Sequence, residues 1–225
     1  EDELIAAKAE IGYLPSNPGI DENVTGEAFL DFQADLKGDS RRDELLELFD
    51  PPLERKVRDY STGNKQMLGI IQTFMHDPDL VIMDEPTSGL DPIKQEHFNQ
   101  FLREERDRGV TVLFSSHILG EVRRVCDRVG IIREGRLVAL EDIESLLSRG
   151  GKRVRIQTRD PLDEDGFDLD GVVEFEQYDT SAQFTFAGDY NVLVDRLSSY
   201  DIVDLEVEEP TLEDVFMHFY GDDDV

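Results

Sequence analysis

The chain has 225 residues, 39% of them hydrophobic, and its 23 Lys and Arg against 52 Asp and Glu give a formal charge of −29 at pH 7. That length and apolar content suffice for one large domain, or a medium one with a small appendage, and exclude a disordered acidic tail. A surface this negative repels phosphate, so nucleic-acid binding by simple electrostatics is excluded as well. The cations are 6 Lys and 17 Arg, and the acids are 29 Asp and 23 Glu. Short, strongly hydrated carboxylates in such excess are expected of a protein adapted to very high salt, where counter-ions screen the self-repulsion; the alternative is an acidic protein of ordinary cytosol.

The single cysteine, Cys126, allows no internal disulfide, which points to a cytosolic chain. Its apolar-periodic neighbourhood reads as the setting of a buried structural thiol. No apolar run approaches the roughly 20 residues that cross a bilayer, so any membrane contact is expected through another chain. The first residue is Glu1 rather than Met, which suggests that the start of the natural chain is missing.

In chain order, Ile11-Gly12-Tyr13-Leu14 reads as a short strand stopped by Pro15 and Pro18-Gly19. Helical periodicity follows over Thr25 to Leu36 and Arg41 to Phe49, then breaks at Pro51-Pro52, and a further helix is expected from about Gly63 to His76. Asp79 to Met83 is a continuous apolar run of the kind buried on both faces of a parallel sheet. Pro92 opens a helix ending near Gly109, and Val110 to Ser115 reads as a second buried strand. Strand, helix, strand in this order predicts a right-handed parallel α/β unit.

Ile118 to Cys126 is expected to be helical, and Val129 to Ile132 with Leu137 to Leu140 to form a hairpin around Glu134-Gly135-Arg136. After a short helix over Asp142 to Leu147, Arg149 to Lys152 reads as a linker. Strands are then expected at Val154 to Thr158, Val172 to Gln177, Gln183 to Phe186 and Val203 to Val207, with helices at Tyr190 to Ser198 and Thr211 to Phe219. Residues 151–225 hold 21 acids and 5 bases. The expected division is therefore residues 1–150 and a small, strongly acidic α+β domain over 151–225.

Three strings carry chemistry. In Leu80-Val81-Ile82-Met83-Asp84-Glu85-Pro86-Thr87-Ser88-Gly89-Leu90-Asp91 an apolar strand delivers two carboxylates to the carboxyl edge of the sheet, where α/β folds bind ligands. An Asp held near Mg²⁺ and a Glu that polarises water suit phosphoanhydride hydrolysis; a solvated strand end is the simpler explanation. In Tyr60-Ser61-Thr62-Gly63-Asn64-Lys65-Gln66 small and hydroxyl residues open an apolar helix, an arrangement suited to phosphate or to an ordinary N-cap. Ser115-Ser116-His117 places a histidine directly after the second strand, on the same edge as Glu85.

Together, in this order and spacing, the strings resemble the Walker B motif with its D-loop, the signature motif and the H-loop of ATP-binding-cassette (ABC) ATPases. Ile11 to Pro15 resembles the segment leading into that family's Q-loop, and Pro210 to Phe216 is similar to a tail found in export-type members. The resemblance covers about residues 10 to 150. It implies an α/β fold, a P-loop NTPase-type parallel sheet with a helical subdomain, its amino-terminal part missing, plus a small α+β C-terminal domain. The cofactors implied are ATP and Mg²⁺. By resemblance, Asp84 helps hold Mg²⁺ through water, Glu85 orients or deprotonates the attacking water and His117 contacts the γ-phosphate. Asp91 links the two sites of a dimer, and Ser61 and Gly63 meet the γ-phosphate of ATP on a second ATPase cassette, identical or not. Ser16 stands where the family usually has Gln. Helices around Val24 to Phe49 would dock on a transmembrane permease subunit, holding the chain at the inner, cytoplasmic face of the membrane.

The family's Gly-x-x-x-x-Gly-Lys-Ser/Thr loop occurs nowhere in these residues. Without its amide cradle, its Lys and its hydroxyl on Mg²⁺, the chain as it stands is expected to bind ATP poorly and hydrolyse little. The expected function is the ATP-hydrolysing subunit of an exporter. The alternatives are a non-catalytic interaction module docking on a permease or an intact cassette, and a soluble ABC ATPase of DNA repair or translation.

Overall fold

The computed structural model describes residues 2–149, 151–162 and 166–212, which fall into two compact units, residues 1–125 and 126–225. After helix α1 (Asp2–Ala9), the first unit is built on three parallel strands, β1 (Ile11–Leu14), β2 (Leu80–Asp84) and β3 (Thr111–Ser115), adjacent in that order. The register pairs Leu14 with Met83 and Asp84 with Ser115, so the carboxyl ends of all three strands lie on one edge.

Between β1 and β2 the chain makes three helices, α2 (Gly26–Lys37), α3 (Arg42–Phe49) and α4 (Thr62–Phe74). Thr25 caps α2 by accepting the Ala28 N–H at 3.2 Å, and α3 ends on Asp50 in the left-handed region (φ 39°). Helix α5 (Pro92–Asp107) connects β2 to β3, with proline in its first turn, where the missing N–H costs nothing. Leu14, Val81 and Met83 of the strands, Leu68, Ile70, Ile71 and Phe74 of α4, and Phe98, Phe101 and Leu102 of α5 form one buried cluster. Phe101 meets Phe74 and Phe49 edge-on, at 4.8 and 5.4 Å between ring centroids.

Charge also lies inside this unit. Arg41 is 6% exposed and binds Glu105, itself 1% exposed, through two bonds of 2.6 and 2.8 Å. Glu44 takes the same guanidinium at 2.6 and 3.0 Å, and Arg108 reaches Glu105 and Asp77 at 3.1 and 3.0 Å. The paired carboxylates hold the Arg41 guanidinium protonated far above any working pH.

One expectation is corrected. β3 is not buried on both faces: Val112 and Phe114 pack partly on the core, whereas Thr111, Leu113 and Ser115 face outward and Leu113 is 62% exposed. An unbroken apolar run cannot distinguish a strand covered on one face from a strand covered on two.

The first unit closes with α6 (Leu119–Val125). The second opens with the hairpin of β4 (Arg128–Arg133) and β5 (Arg136–Asp142), turned by Glu134 (φ 50°) and Gly135 (φ 74°), the two positive angles of a type I′ turn. Helix α7 (Ile143–Arg149) precedes β6 (Lys152–Thr158). β6, β7 (Val172–Tyr178), β8 (Ser181–Phe186) and β9 (Ile202–Glu208) form an antiparallel sheet in the order β7-β8-β6-β9. Val154, Ile156, Phe184 and Phe186 pack on Leu193 and Leu197 of α8 (Tyr190–Leu197), which Asp189 caps. The helix expected from Thr211 to Phe219 lies, beyond Leu212, outside the described residues.

Candidate active site at the carboxyl edge of the parallel sheet

Each parallel strand delivers a predicted residue to the same edge. Ser16 follows β1 by two residues, Asp84 ends β2 with Glu85 next, and His117 follows β3 by two residues. The Asp84–Ser115 register brings the last two loops into contact. The Ser115 hydroxyl donates to Asp84 Oδ1 at 2.5 Å and accepts the Glu85 N–H at 3.2 Å. One hydroxyl thus fixes both acids.

Glu85 adopts a left-handed backbone, φ 49°. For a long side chain this conformation costs about 1–3 kcal/mol and persists only where the surroundings hold it. Glu85 N–H also donates to the Ser115 carbonyl at 3.2 Å, and Ser88 N–H donates back to the Glu85 carbonyl at 3.1 Å, closing a turn over Pro86-Thr87. Glu85 Oε2 lies 2.8 Å from His117 Nδ1. This hydrogen bond and the carboxylate's charge raise the imidazole above its ordinary value of 6.5, although His117 is 77% exposed.

The start of α4 packs against the loop after Glu85. Gly63 is there because nothing larger fits: a Cβ would lie 2.8 Å from the Gly89 carbonyl oxygen. Gly89 takes φ 76° and would itself press a Cβ to within 2.7 Å of the Thr62 methyl. From the same helix the buried Gln66 amide donates to the Pro86 carbonyl at 2.8 Å. Ser61 caps the helix, its hydroxyl accepting the Asn64 N–H at 3.2 Å, so the first turn satisfies one of its own amides. Asp91 caps α5, Oδ1 accepting from Ile93 N–H and Lys94 N–H at 3.1 and 3.0 Å.

The structure therefore brings together Asp84, Glu85 and His117, and seats Gly63 on the loop that ends in Asp91. Ser16 is exposed at the end of β1, two residues past Leu14. Four further residues organise the edge without having been singled out: Ser115, Gln66, Thr87 and Glu121. Thr87 Oγ1 donates to Glu121 Oε2 at 2.9 Å inside the protein. The available signal was position: Glu121 adjoins Val122 and precedes Val125 by four, so an acid stands on the buried stripe of α6.

Among the described residues no group of three His, Cys, Asp or Glu is arranged to hold a metal by itself. The donor set instead suits a cation that takes one carboxylate and completes its shell with water and phosphate oxygens, as Mg²⁺ does. No helix among the described residues is long and apolar enough to cross a membrane.

Residues 30–123 match the model of an AAA-domain family whose description refers to the AbiEii toxin of a type IV TA system. Residues 142–220 match the C-terminal domain of DrrA1-3-like ATP-binding proteins. The bacitracin transport ATP-binding protein BcrA of Bacillus licheniformis is 33% identical over 229 residues, which are 94% of this chain and 73% of that protein. An uncharacterized ABC transporter ATP-binding protein of Nostoc sp. is 35% identical over 150 residues, 62% of this chain and 45% of its own length. A solved ATP-binding subunit of an ABC transporter superposes with a TM-score of 0.57 at 30% identity, over 64% of each chain. The fold is that of an ABC ATPase, a mixed α/β domain of P-loop NTPase type with a parallel sheet. This chain belongs to the family of ABC transporter ATP-binding proteins.

Proposed function

We propose that this chain supplies the hydrolytic edge of an ATP-driven exporter, coupling ATP hydrolysis to passage of a substrate through a separate membrane permease. The observation that carries the reading is the 2.8 Å contact between Glu85 and His117 beside Asp84 at the carboxyl edge of the sheet. Asp84 would help hold Mg²⁺, which when bound would supply positive charge to offset that developing on the transferred phosphoryl oxygens. Glu85 orients the attacking water and draws its proton, and His117 fixes Glu85 and reaches toward the γ-phosphate. Ser61 and Gly63, at the amino end of α4, present backbone amides to ATP held by a second cassette, and Asp91 joins the two sites. Ser16 takes the Q-loop position with a shorter side chain.

Phe32 and Leu36, one turn apart on α2, are 59 and 63% exposed, and Leu48 on α3 is 42% exposed. They support docking of this helical region on the permease, which holds the protein at the cytoplasmic face of the membrane. These 225 residues by themselves contain no Gly-x-x-x-x-Gly-Lys-Ser/Thr. The reading therefore expects turnover only where such a loop is supplied.

The test is Glu85→Gln in the assembled transporter. Nucleotide binding should persist while the hydrolysis rate falls by about 100-fold or more, the scale of a lost general base. Turnover unchanged in this variant would remove Glu85 from the mechanism.

A further inference from the structure

This inference rests on the catalytic reading of Glu85 and His117. Those residues lie in different loops, and one buried oxygen touches both loops. Thr87, two residues after Glu85, donates to Glu121 Oε2 at 2.9 Å, and Ser116, directly before His117, donates to the same atom at 3.5 Å. Glu121 is 2% exposed, and its other carboxylate oxygen is buried with no hydrogen-bond partner among the described residues.

A packing role does not account for this arrangement. A buried carboxylate with an unmatched oxygen destabilises the fold relative to a neutral side chain of the same length, so its presence calls for another reason. We propose that Glu121 is a positioning residue that clamps the Glu85 loop to the His117 loop and so sets the contact between them. Glu85 needs such a restraint because its backbone is left-handed (φ 49°), a conformation that relaxes when the following turn is released. Gln66 holds the same turn through the Pro86 carbonyl. Movement at the amino end of α4 therefore reaches Glu85 through a loop that Glu121 keeps taut.

The measurement is an NMR titration of the imidazoles in the full 225-residue chain, with His117 assigned by His117→Asn. Two charged groups face this ring, Glu85 and Glu121. Thr87→Val alters neither charge, so it isolates geometry. In the unsubstituted chain His117 should titrate above 6.5, and Glu85→Gln should move it back toward that ordinary value. Thr87→Val should move it most of the way back, Thr87→Ser should restore it, and Ser116→Ala should lower it less. Glu121→Gln, which keeps an acceptor for both hydroxyls, should perturb the titration less than Glu121→Leu. A folded Thr87→Val chain in which His117 titrates as it does in the unsubstituted chain overturns the clamp; if that variant does not fold, an unchanged His117 in Ser116→Ala together with equal Glu121→Gln and Glu121→Leu titrations does so. An ordinary His117 in the unsubstituted chain also overturns it. Loss of the clamp is distinct from loss of the catalytic reading, which fails on turnover of Glu85→Gln in the transporter while these titrations still behave as described.

Discussion

At the scale of single residues, the site is organised by short polar side chains that satisfy two partners at once. Ser115 serves Asp84 as donor and Glu85 as acceptor, since a hydroxyl both donates and accepts. Cys126 shows the opposite economy. It is partly buried beside Asp127, and burial pushes its thiol up to about 11, so little thiolate exists at neutral pH. Alkylation by a maleimide at pH 7 should accordingly be slow in the folded chain and fast in denaturant, and equal rates in the two states would contradict this environment. Asp84, Glu85 and His117 were legible in the sequence because each follows an apolar strand, a pattern that fixes position as well as identity. Glu121 was harder to read: its one signal, a place beside Val122 and four before Val125, separates it from the other Glu residues only once the burial of its helix face is known.

Among the elements, strand and helix positions were legible wherever periodicity or a cap marks them: Thr25 before α2, Ser61 before α4, Asp91-Pro92 at α5. The outward face of β3 was not, because the local pattern of Val110 to Phe114 carries no information about which faces find neighbours. The approach of α4 to the loop after Glu85 was also hidden, although two glycines make it possible. Gly63→Ala places a methyl group against the Gly89 carbonyl, and neither backbone can yield as a flexible side chain would. The substitution should cost about 1–3 kcal/mol, read as a lower urea midpoint. A stability equal to that of the parent chain would show that α4 and the loop can part without consequence.

For the whole molecule, the net charge of −29 sets the conditions under which the fold persists. We expect the melting temperature to rise steeply from low to molar KCl as counter-ions screen the acids, and equal stability at both ends would remove the high-salt reading. The charge also limits what could have been read about partners. Composition excluded a simple phosphate-binding surface, yet under the proposed function the candidate site would receive a nucleotide polyanion by local order, a helix terminus and a hydrated cation working against the global field.

Salt also divides the ion pairs of this protein into two populations. At 1 M the screening length falls to about 3 Å, so exposed pairs such as Arg159–Asp201 lose most of their meaning, whereas Arg41 and Glu105 are withdrawn from the solvent that carries the ions. Removing one partner of a buried pair typically costs about 3–5 kcal/mol, and Arg41→Met should sit near the lower end because Arg108 still holds Glu105. That loss should be nearly the same at every KCl concentration, displacing the whole stability profile without changing its slope. α3 and α5 are thereby joined by an electrostatic bond that brine does not dissolve.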